Sequence, residues 1–259
     1  MRIRHVLVLL VLSGCISLLT AISPHQSEAE WYVGGYGGYS MPGKLSDVQM
    51  PLFGERQAQA QFPGFNPISG DTLTSSLSGS DISLKSSAIF GGKAGYFFKD
   101  EGFSWLGVEV EAFTSQPTIK QQEVTTTLNA TFVPKVTAPP IVPTTITQPG
   151  TLQLEESSMR LITVVFNVVA RYPGTTFQPY AGVGGGAFYF NSSGQIDGRQ
   201  VVPGLNAQLG LKVLATEEWG FFVEGKYNYA TITNLDPSGY GLSGVYSAFN
   251  AIAGVAYHF

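Results

Sequence analysis

The chain has 259 residues and a formal net charge of −4, and only 12% of its residues are charged, about half the share in average soluble domains. The mean hydropathy is +0.12, and no apolar run after residue 22 approaches the roughly 18 residues of a membrane helix. These values exclude a helical membrane protein. The single cysteine and the net negative charge argue against a disulfide scaffold and a nucleic-acid-binding protein.

Residues 1–29 have the layout of a secretory signal peptide. Arg2 and Arg4 precede an uncharged, largely apolar stretch at 6–22, and a short polar region ends at Ala29 in a small-x-small pattern. We therefore predict export, with cleavage after Ala29. The mature chain, 30–259, is long enough for one sizeable β domain.

A second export signal overlaps the first. Residues 12–15, Leu-Ser-Gly-Cys, resemble a lipoprotein box that would make Cys15 the lipidated first residue. The apolar stretch continues for seven residues past Cys15, which favours the ordinary signal peptide. Removal of residues 1–29 also removes His5 and His25 and leaves His258 as the single histidine of a cysteine-free chain. A cysteine nucleophile and a multi-histidine metal site are then unavailable, and we expect neither a metal nor a cofactor.

The mature sequence alternates between apolar and small or polar residues, without a sustained 3.6-residue period, and this alternation predicts strands. Most of the predicted strands have 10 to 15 residues, which suits tilted membrane strands better than those of soluble sheets. The eight segments lie at about 31–41, 85–98, 104–113, 159–172, 176–190, 205–215, 219–232 and 245–259.

The predicted links alternate in length. Short links lie at 99–103, 173–175 and 216–218, and long ones at about 42–84, 114–158, 191–204 and 233–244. This alternation is typical of outer-membrane barrels, with short periplasmic turns and long external loops, whereas a soluble sandwich has no reason for it. The predicted fold is all-β: an eight-stranded antiparallel up-and-down transmembrane β-barrel, closed so that no strand edge meets lipid.

Charged side chains share one face of the predicted strands. An eight-stranded barrel has an interior just wide enough for side chains, so these charges are expected to pair with one another. We considered a gating or ion-path network and a packed, neutralised plug, and favour the plug. The predicted lumen residues are Lys93, Glu109, Glu111, Arg171, Glu224 and Lys226.

Three tryptophans, Trp31, Trp105 and Trp219, begin odd-numbered predicted strands. With both termini in the periplasm, all three would lie near one membrane interface, where aromatic belts form. Trp105, however, has the parity of Glu109 and Glu111, which predicts an inward orientation.

The last strand ends in a C-terminal phenylalanine after strict alternation. It resembles the C-terminal assembly signal that the barrel-insertion machinery reads in bacterial outer-membrane proteins. The residues in question are Phe249, Val255, Tyr257 and Phe259.

Three segments extend this resemblance: Glu-Trp-Tyr-Val-Gly-Gly-Tyr-Gly-Gly-Tyr at 30–39, Phe-Gln-Pro-Tyr-Ala-Gly-Val-Gly-Gly-Gly at 177–186 and Phe-Val-Glu-Gly-Lys-Tyr-Asn-Tyr at 222–229. Together they resemble the small outer-membrane barrel family that includes the OmpA transmembrane domain, OmpX and the opacity proteins. The resemblance implies an outer-membrane location. It does not specify an activity, because the family includes anchors, adhesins, resistance factors and narrow pores.

One nucleotide-binding pattern needs a separate interpretation. Residues 182–187 match G-x-G-x-x-A, but Phe-Tyr-Phe follows at 188–190 where a dinucleotide site would need a helix. We interpret Gly182, Gly184 and Gly186 instead as small inward residues that make room in a narrow barrel.

The predicted function is structural, adhesive or interactive, carried by the external loops, and we predict no enzymatic activity. One alternative is a narrow porin-like channel. Another is a lipid A-modifying enzyme, for which His258 would be the only mature histidine, and a third is a soluble lipocalin-like barrel lipidated at Cys15. The expected partners are outer-membrane lipid, lipopolysaccharide and the barrel-assembly machinery, with no nucleic acid. The sequence does not identify a partner for the external loops.

Overall fold

The structure, a computed structural model, describes residues 30–99, 102–135 and 143–259. The predicted signal peptide, including Cys15, and residues 100–101 and 136–142 lie outside the described residues. No helix in the described ranges is long and apolar enough to cross a membrane.

Strands dominate the described chain, with one α-helix and one short 3-10 helix, Pro67–Ser69. In chain order the elements are β1 Glu30–Pro42, β2 Ser46–Gln49, α1 Pro51–Gln61, β3 Thr72–Gly79, β4 Leu84–Lys85, β5 Ser87–Phe98, β6 Phe103–Ser115, β7 Thr118–Ile119, β8 Gln122–Val133, β9 Thr144–Leu154, β10 Ser157–Arg171, β11 Phe177–Ser193, β12 Gly198–Leu214, β13 Trp219–Ile232 and β14 Ser243–His258.

Eight of these strands close into a barrel. They pair in the order β1-β5-β6-β10-β11-β12-β13-β14, and β14 pairs back onto β1 over Tyr32–Pro42, with every pairing antiparallel. Because β1 and β14 pair with each other, the backbone N–H and C=O groups of both strands are hydrogen-bonded, as a lipid environment requires. The predicted eight-stranded antiparallel barrel is confirmed.

Most predicted strand limits lie close to the observed ones, and β13 has the predicted limits. The predicted long link at about 191–204 is wrong. β11 runs to Ser193 and β12 begins at Gly198, which leaves a turn of four residues. Gly194, Gly198 and Pro203 weaken the strand pattern of this stretch, but β12 pairs with β11 from Gly198 onward.

The two faces of each barrel strand differ in chemistry. In β10, Ile162, Val164 and Phe166 are exposed on the outer wall, whereas Thr163 and Asn167 are fully buried inside. The outer wall therefore offers apolar side chains to lipid, while the inner wall fills the lumen.

We call the end of the barrel with Lys99, Gly102 and residues 172–176 and 215–218 the termini end, since β1 starts and β14 finishes there. Trp31, Trp105 and Trp219 all lie at this end and are 39%, 48% and 48% exposed. Trp105, for which parity predicts an inward orientation, is as exposed as Trp219. The register between β5 and β6 shifts beside it, from Phe97↔Gly107 to Phe98↔Phe103.

The opposite end, the loop end, carries a folded module. The expected loops at about 42–84 and 114–158 contain β2, β3, β8 and β9, which continue the sheet from β14, and β4, which pairs with β7. The helix α1 packs on β3, where Gly54 lies against Leu77 and Ala58 is buried. We name this set of elements, β2–β4, α1 and β7–β9, the loop-end module.

Candidate functional site

A cluster of opposite charges occupies the middle of the lumen. The Lys93 ammonium lies 2.6 Å from Glu224 Oε2 and 3.3 Å from Glu109 Oε2. The Lys226 ammonium contacts Glu111 and lies 3.2 Å from Glu224 Oε1. All five side chains are almost completely buried. Glu224 bridges both lysines and so links opposite walls of the barrel.

Each of these carboxylates also accepts a phenolic hydrogen bond. Tyr32 donates to Glu109 at 2.5 Å, Tyr180 donates to Glu224 at 2.6 Å, and Tyr36 donates to Glu111. Each tyrosine ring lies over a glycine of a neighbouring strand, where a Cβ would overlap it: Tyr32 over Gly95, Tyr36 over Gly91 and Tyr180 over Gly210. The sequence analysis missed these tyrosines. Their inward parity in two glycine-rich strands, β1 and β11, was the available signal.

Amide side chains complete the shell around Glu109. Gln208 Nε2 donates to Glu109 Oε1 at 2.9 Å, and Asn167 Nδ2 donates to the same oxygen at 3.2 Å. Three carboxylates therefore face two ammonium groups, and neutral donors supply further hydrogen bonds, whereas Glu111 Oε2 has no hydrogen-bond partner among the described residues. A buried charge is tolerated only with such partners.

Arg171 belongs to a separate layer nearer the termini end. Its guanidinium lies 3.7 Å from the centroid of the Phe97 ring, and its Nε donates to the Ser104 carbonyl oxygen at 3.0 Å. In the same layer, the Lys212 ammonium lies 4.2 Å from the centroid of the Tyr32 ring and 3.3 Å from His258 Nε2. The structure thus brings five of the six predicted lumen residues together and places the sixth, Arg171, in a layer with Lys212 and His258, which the prediction omitted.

An apolar layer fills the lumen toward the loop end. Phe188, Phe190 and Tyr246 are fully buried there, and the Phe190 and Tyr246 rings meet edge to face at 5.3 Å. The same apolar core includes Met50 and Ile82 of the long first link. Between the charge cluster and Arg171 there is a cavity of ≈ 10 Å³, about enough for one water molecule.

The glycines of the nucleotide-like pattern lie in the barrel wall. β11 continues as a strand through Phe188 and Phe190 to Ser193, so no helix follows the pattern. A Cβ on Gly184 would overlap Asn167, and one on Gly182 would lie 3.1 Å from Gln208 Cγ. These glycines therefore give the amides around Glu109 their space.

Contacts tie the loop-end module to the other links at that end. Gln195 Oε1 accepts from the Glu155 backbone N–H at 2.6 Å, and Gln195 Nε2 donates to the Tyr240 hydroxyl at 2.7 Å. The Arg56 guanidinium donates to the Gly239 carbonyl oxygen at 2.6 Å. The helix and the base of the β8–β9 hairpin are thereby fixed to the barrel.

The distal part of the module presents an apolar tip. Ile68, in the 3-10 turn, is 96% exposed. The Asp71 carboxylate beneath it accepts backbone N–H groups from Lys135 at 2.9 Å and Asn66 at 3.1 Å. The N–H of Lys135, and then that of Asn66, lower the pKa of Asp71 because they stabilise its charged form. The hydrogen bonds of the charged Asp71 stabilise the loop fully when the pH is above the ordinary pKa range of aspartate. That stabilisation is lost as the pH falls through the lowered pKa of Asp71.

The residues of the predicted assembly signal lie along β14 on the outer wall. Phe249, Val255 and Phe259 are exposed, and the Tyr257 ring packs against Trp219 at 5.0 Å. They form an apolar ridge that reaches the termini end.

Comparison with known proteins identifies the family. The family model described as "Outer membrane protein beta-barrel domain" matches residues 50–259. The chain belongs to this family. It is therefore an outer-membrane β-barrel protein. No curated protein sequence matches the chain significantly.

Several solved structures resemble the barrel. Neisserial surface protein A has 14% identity and a TM-score of 0.48, with 90% of this chain and 98% of that chain covered. Ail of Yersinia pestis, in complex with the heparin analogue sucrose octasulfate, has 13% identity and a TM-score of 0.42, with 90% and 100% covered. OprG from Pseudomonas aeruginosa has 16% identity and a TM-score of 0.43, with 91% and 97% covered.

Proposed function

We propose that this outer-membrane barrel is a filled scaffold that displays the loop-end module outside the cell, where the module contacts other molecules. One observation carries the proposal: the apolar core of the module continues into the barrel above the charge cluster. A continuous core makes the module a rigid extension of the wall, which suits display. Both termini would then lie in the periplasm.

The contact surface we favour is the apolar tip around Ile68. Phe62 and Phe65 pack against Phe132 beneath this region, with ring centroids 5.4 and 6.4 Å apart. Together with the Asp71 hydrogen bonds, these contacts support an exposed aliphatic side chain on a fixed base. A rigid apolar anchor binds at a low cost in conformational entropy.

The β14 ridge and His258 bear on assembly and on catalysis, respectively. The outward aromatic ridge of β14 is the surface that we expect the barrel-assembly machinery to bind. We propose no enzymatic activity. His258 stacks on the Tyr32 ring at 5.6 Å and faces Lys212 on the inner wall of the termini end, far from the outer leaflet in this orientation.

Display of the module can be measured by cysteine labelling on intact cells. In a Cys15→Ser background, Ile68→Cys should react with a membrane-impermeant maleimide, because Ile68 is 96% exposed at the loop end. The matched control, Glu217→Cys in the turn between β12 and β13, should react only after the outer membrane is permeabilised. The reverse pattern would contradict the proposed orientation.

The filled lumen predicts no ion conductance. Purified protein in a planar bilayer should give no current steps above background at neutral pH, because the charge cluster and the apolar layer occupy the lumen. A known porin, reconstituted in the same way, serves as the channel-positive control. Reproducible steps that disappear in a Lys93→Met variant would instead support the narrow-pore alternative.

A further inference from the structure

Two arginines lie on the outer wall, one row above the apolar band at the loop end. The strand register places Arg160 of β10 opposite Asn191 of β11, and Asn191 opposite Arg199 of β12. All three have the outward parity of the row directly below, which consists of Ile162, Tyr189 and Val201. The arginine row therefore lies where the wall changes from lipid-facing to polar.

Both guanidinium groups are available for a ligand. Arg160 and Arg199 are exposed, and neither forms a hydrogen bond or an ion pair through its side chain with any residue in the described ranges. Neighbouring carboxylates do not neutralise the two guanidinium charges. Glu156 pairs with Lys85, and the exposed Asp197 pairs with neither arginine. Two other loop-end cations have partners: Arg56 donates to the Gly239 carbonyl oxygen, and Lys85 pairs with Glu156.

A furrow runs down the wall from these arginines. The outward residues of β11 below Tyr189 are small, Ala187 and then Gly185. Their register neighbours are larger: Val164 and Phe166 on β10, and Pro203 and Leu205 on β12. A strip one strand wide, with apolar walls, thus leads from the arginine row toward the middle of the membrane.

We propose that Arg160 and Arg199 hold a phosphate group of lipopolysaccharide in the outer leaflet, with an acyl chain of the same molecule in the furrow. The arginine-bearing strands lie about 10 Å apart, so the two long side chains can converge above Asn191. Arginine binds phosphate through paired N–H donors, and its guanidinium is weakly hydrated. The furrow favours a lipid over a soluble anion, because only a lipid supplies both the phosphate and the chain. This assignment rests on the proposed outward orientation of the loop end.

The affinity of the mature chain, refolded in detergent micelles, for lipopolysaccharide tests this assignment. The Arg160→Gln/Arg199→Gln variant should bind about thirty-fold more weakly, since each basic residue near an anionic lipid surface contributes about 1 kcal/mol. Lys44→Gln/Lys120→Gln removes the same charge from exposed positions of the loop end and should bind as the parent does. Ala187→Leu fills the furrow without a change of charge and should also weaken binding. A heat-dependent gel shift checks that each variant is folded.

Three ligands separate the sources of the phosphate. The parent should bind intact lipopolysaccharide, bind dephosphorylated lipopolysaccharide about as weakly as the arginine variant does, and bind inorganic tripolyphosphate weakly. Equal affinity of the parent and the arginine variant would overturn the proposal, as would an equal loss in the lysine control. Tight binding of tripolyphosphate would also overturn it, in favour of a soluble polyanion. Because micelles impose no orientation, a negative result here leaves the labelling test of display unaffected.

Discussion

Replacement of Lys226 by methionine is expected to destabilise the folded barrel by about 3–5 kcal/mol. The ammonium contacts Glu111 and lies 3.2 Å from Glu224, with no exposure to solvent. Its removal leaves three buried carboxylates with Lys93 as their single ammonium partner among the described residues. Urea-induced unfolding in lipid vesicles, followed by tryptophan fluorescence, gives the free energy of unfolding.

The balance of charges in the cluster makes a sharper comparison possible. Glu224→Gln reduces the carboxylates from three to two and leaves Lys93 with Glu109 and Lys226 with Glu111. We therefore expect a smaller loss of about 1.5–3 kcal/mol, the contribution of a hydrogen bond to a charged group. Lys226→Met/Glu111→Gln should recover part of the stability that Lys226→Met loses, because it removes a charge of each sign. A Glu224→Gln variant less stable than Lys226→Met would contradict this account.

The barrel could be predicted from sequence because lipid on one side of the wall and the lumen on the other select a simple alternation of residues. Each strand has one face toward lipid and one toward the lumen, so apolar and polar residues alternate, as in Ile162 to Asn167. The limits of β12 could not be predicted in the same way. Its first residues include Gly198 and Pro203, which are weak strand formers, and pairing with β11 determines their conformation.

The fold of the loop-end module could not be predicted from hydrophobic periodicity. The helix α1 is mostly polar, with little separation into two faces, and long-range contacts such as Gly54 on Leu77 fix its position. Residues 118–128 and 151–160 alternate in part, and this pattern indicates an extended hairpin. It could not indicate that β8 also pairs with β3, a contact between segments about fifty residues apart.

Partners in the lumen depend on side-chain reach across the barrel. The register neighbour of Lys93 on β6 is Glu111, which parity makes the obvious partner. The ammonium lies instead against Glu224 of β13, because it projects across the lumen, and against Glu109, two residues along β6 from Glu111. The sequence therefore predicts the face on which a charge lies, and the cross-section of the closed barrel determines its partner.

Substitution of either inward glycine of β11, Gly184→Val or Gly186→Val, is expected to destabilise the barrel by about 3 kcal/mol or more. A Cβ at Gly184 would overlap the Phe166 carbonyl oxygen and Asn167 Oδ1, and one at Gly186 would overlap the Val164 carbonyl oxygen. Backbone atoms of a paired strand cannot move aside without loss of ladder hydrogen bonds. The folded fraction on a gel without heating and the urea midpoint measure the effect.

The residue between them provides the control. Gly185 faces outward, where the nearest atom to an added Cβ is the Gly204 carbonyl oxygen at 3.3 Å. Gly185→Val adds a good strand former to the lipid face, and its effect should stay within about 0.5 kcal/mol. Successive strand residues face opposite sides of the wall. If inward packing requires the glycines, the loss of stability should therefore be large at 184 and 186 and small at 185. Equal losses of stability at all three positions would contradict this account. They would show that β11 tolerates no added side chain on either face, whatever the crowding around Asn167.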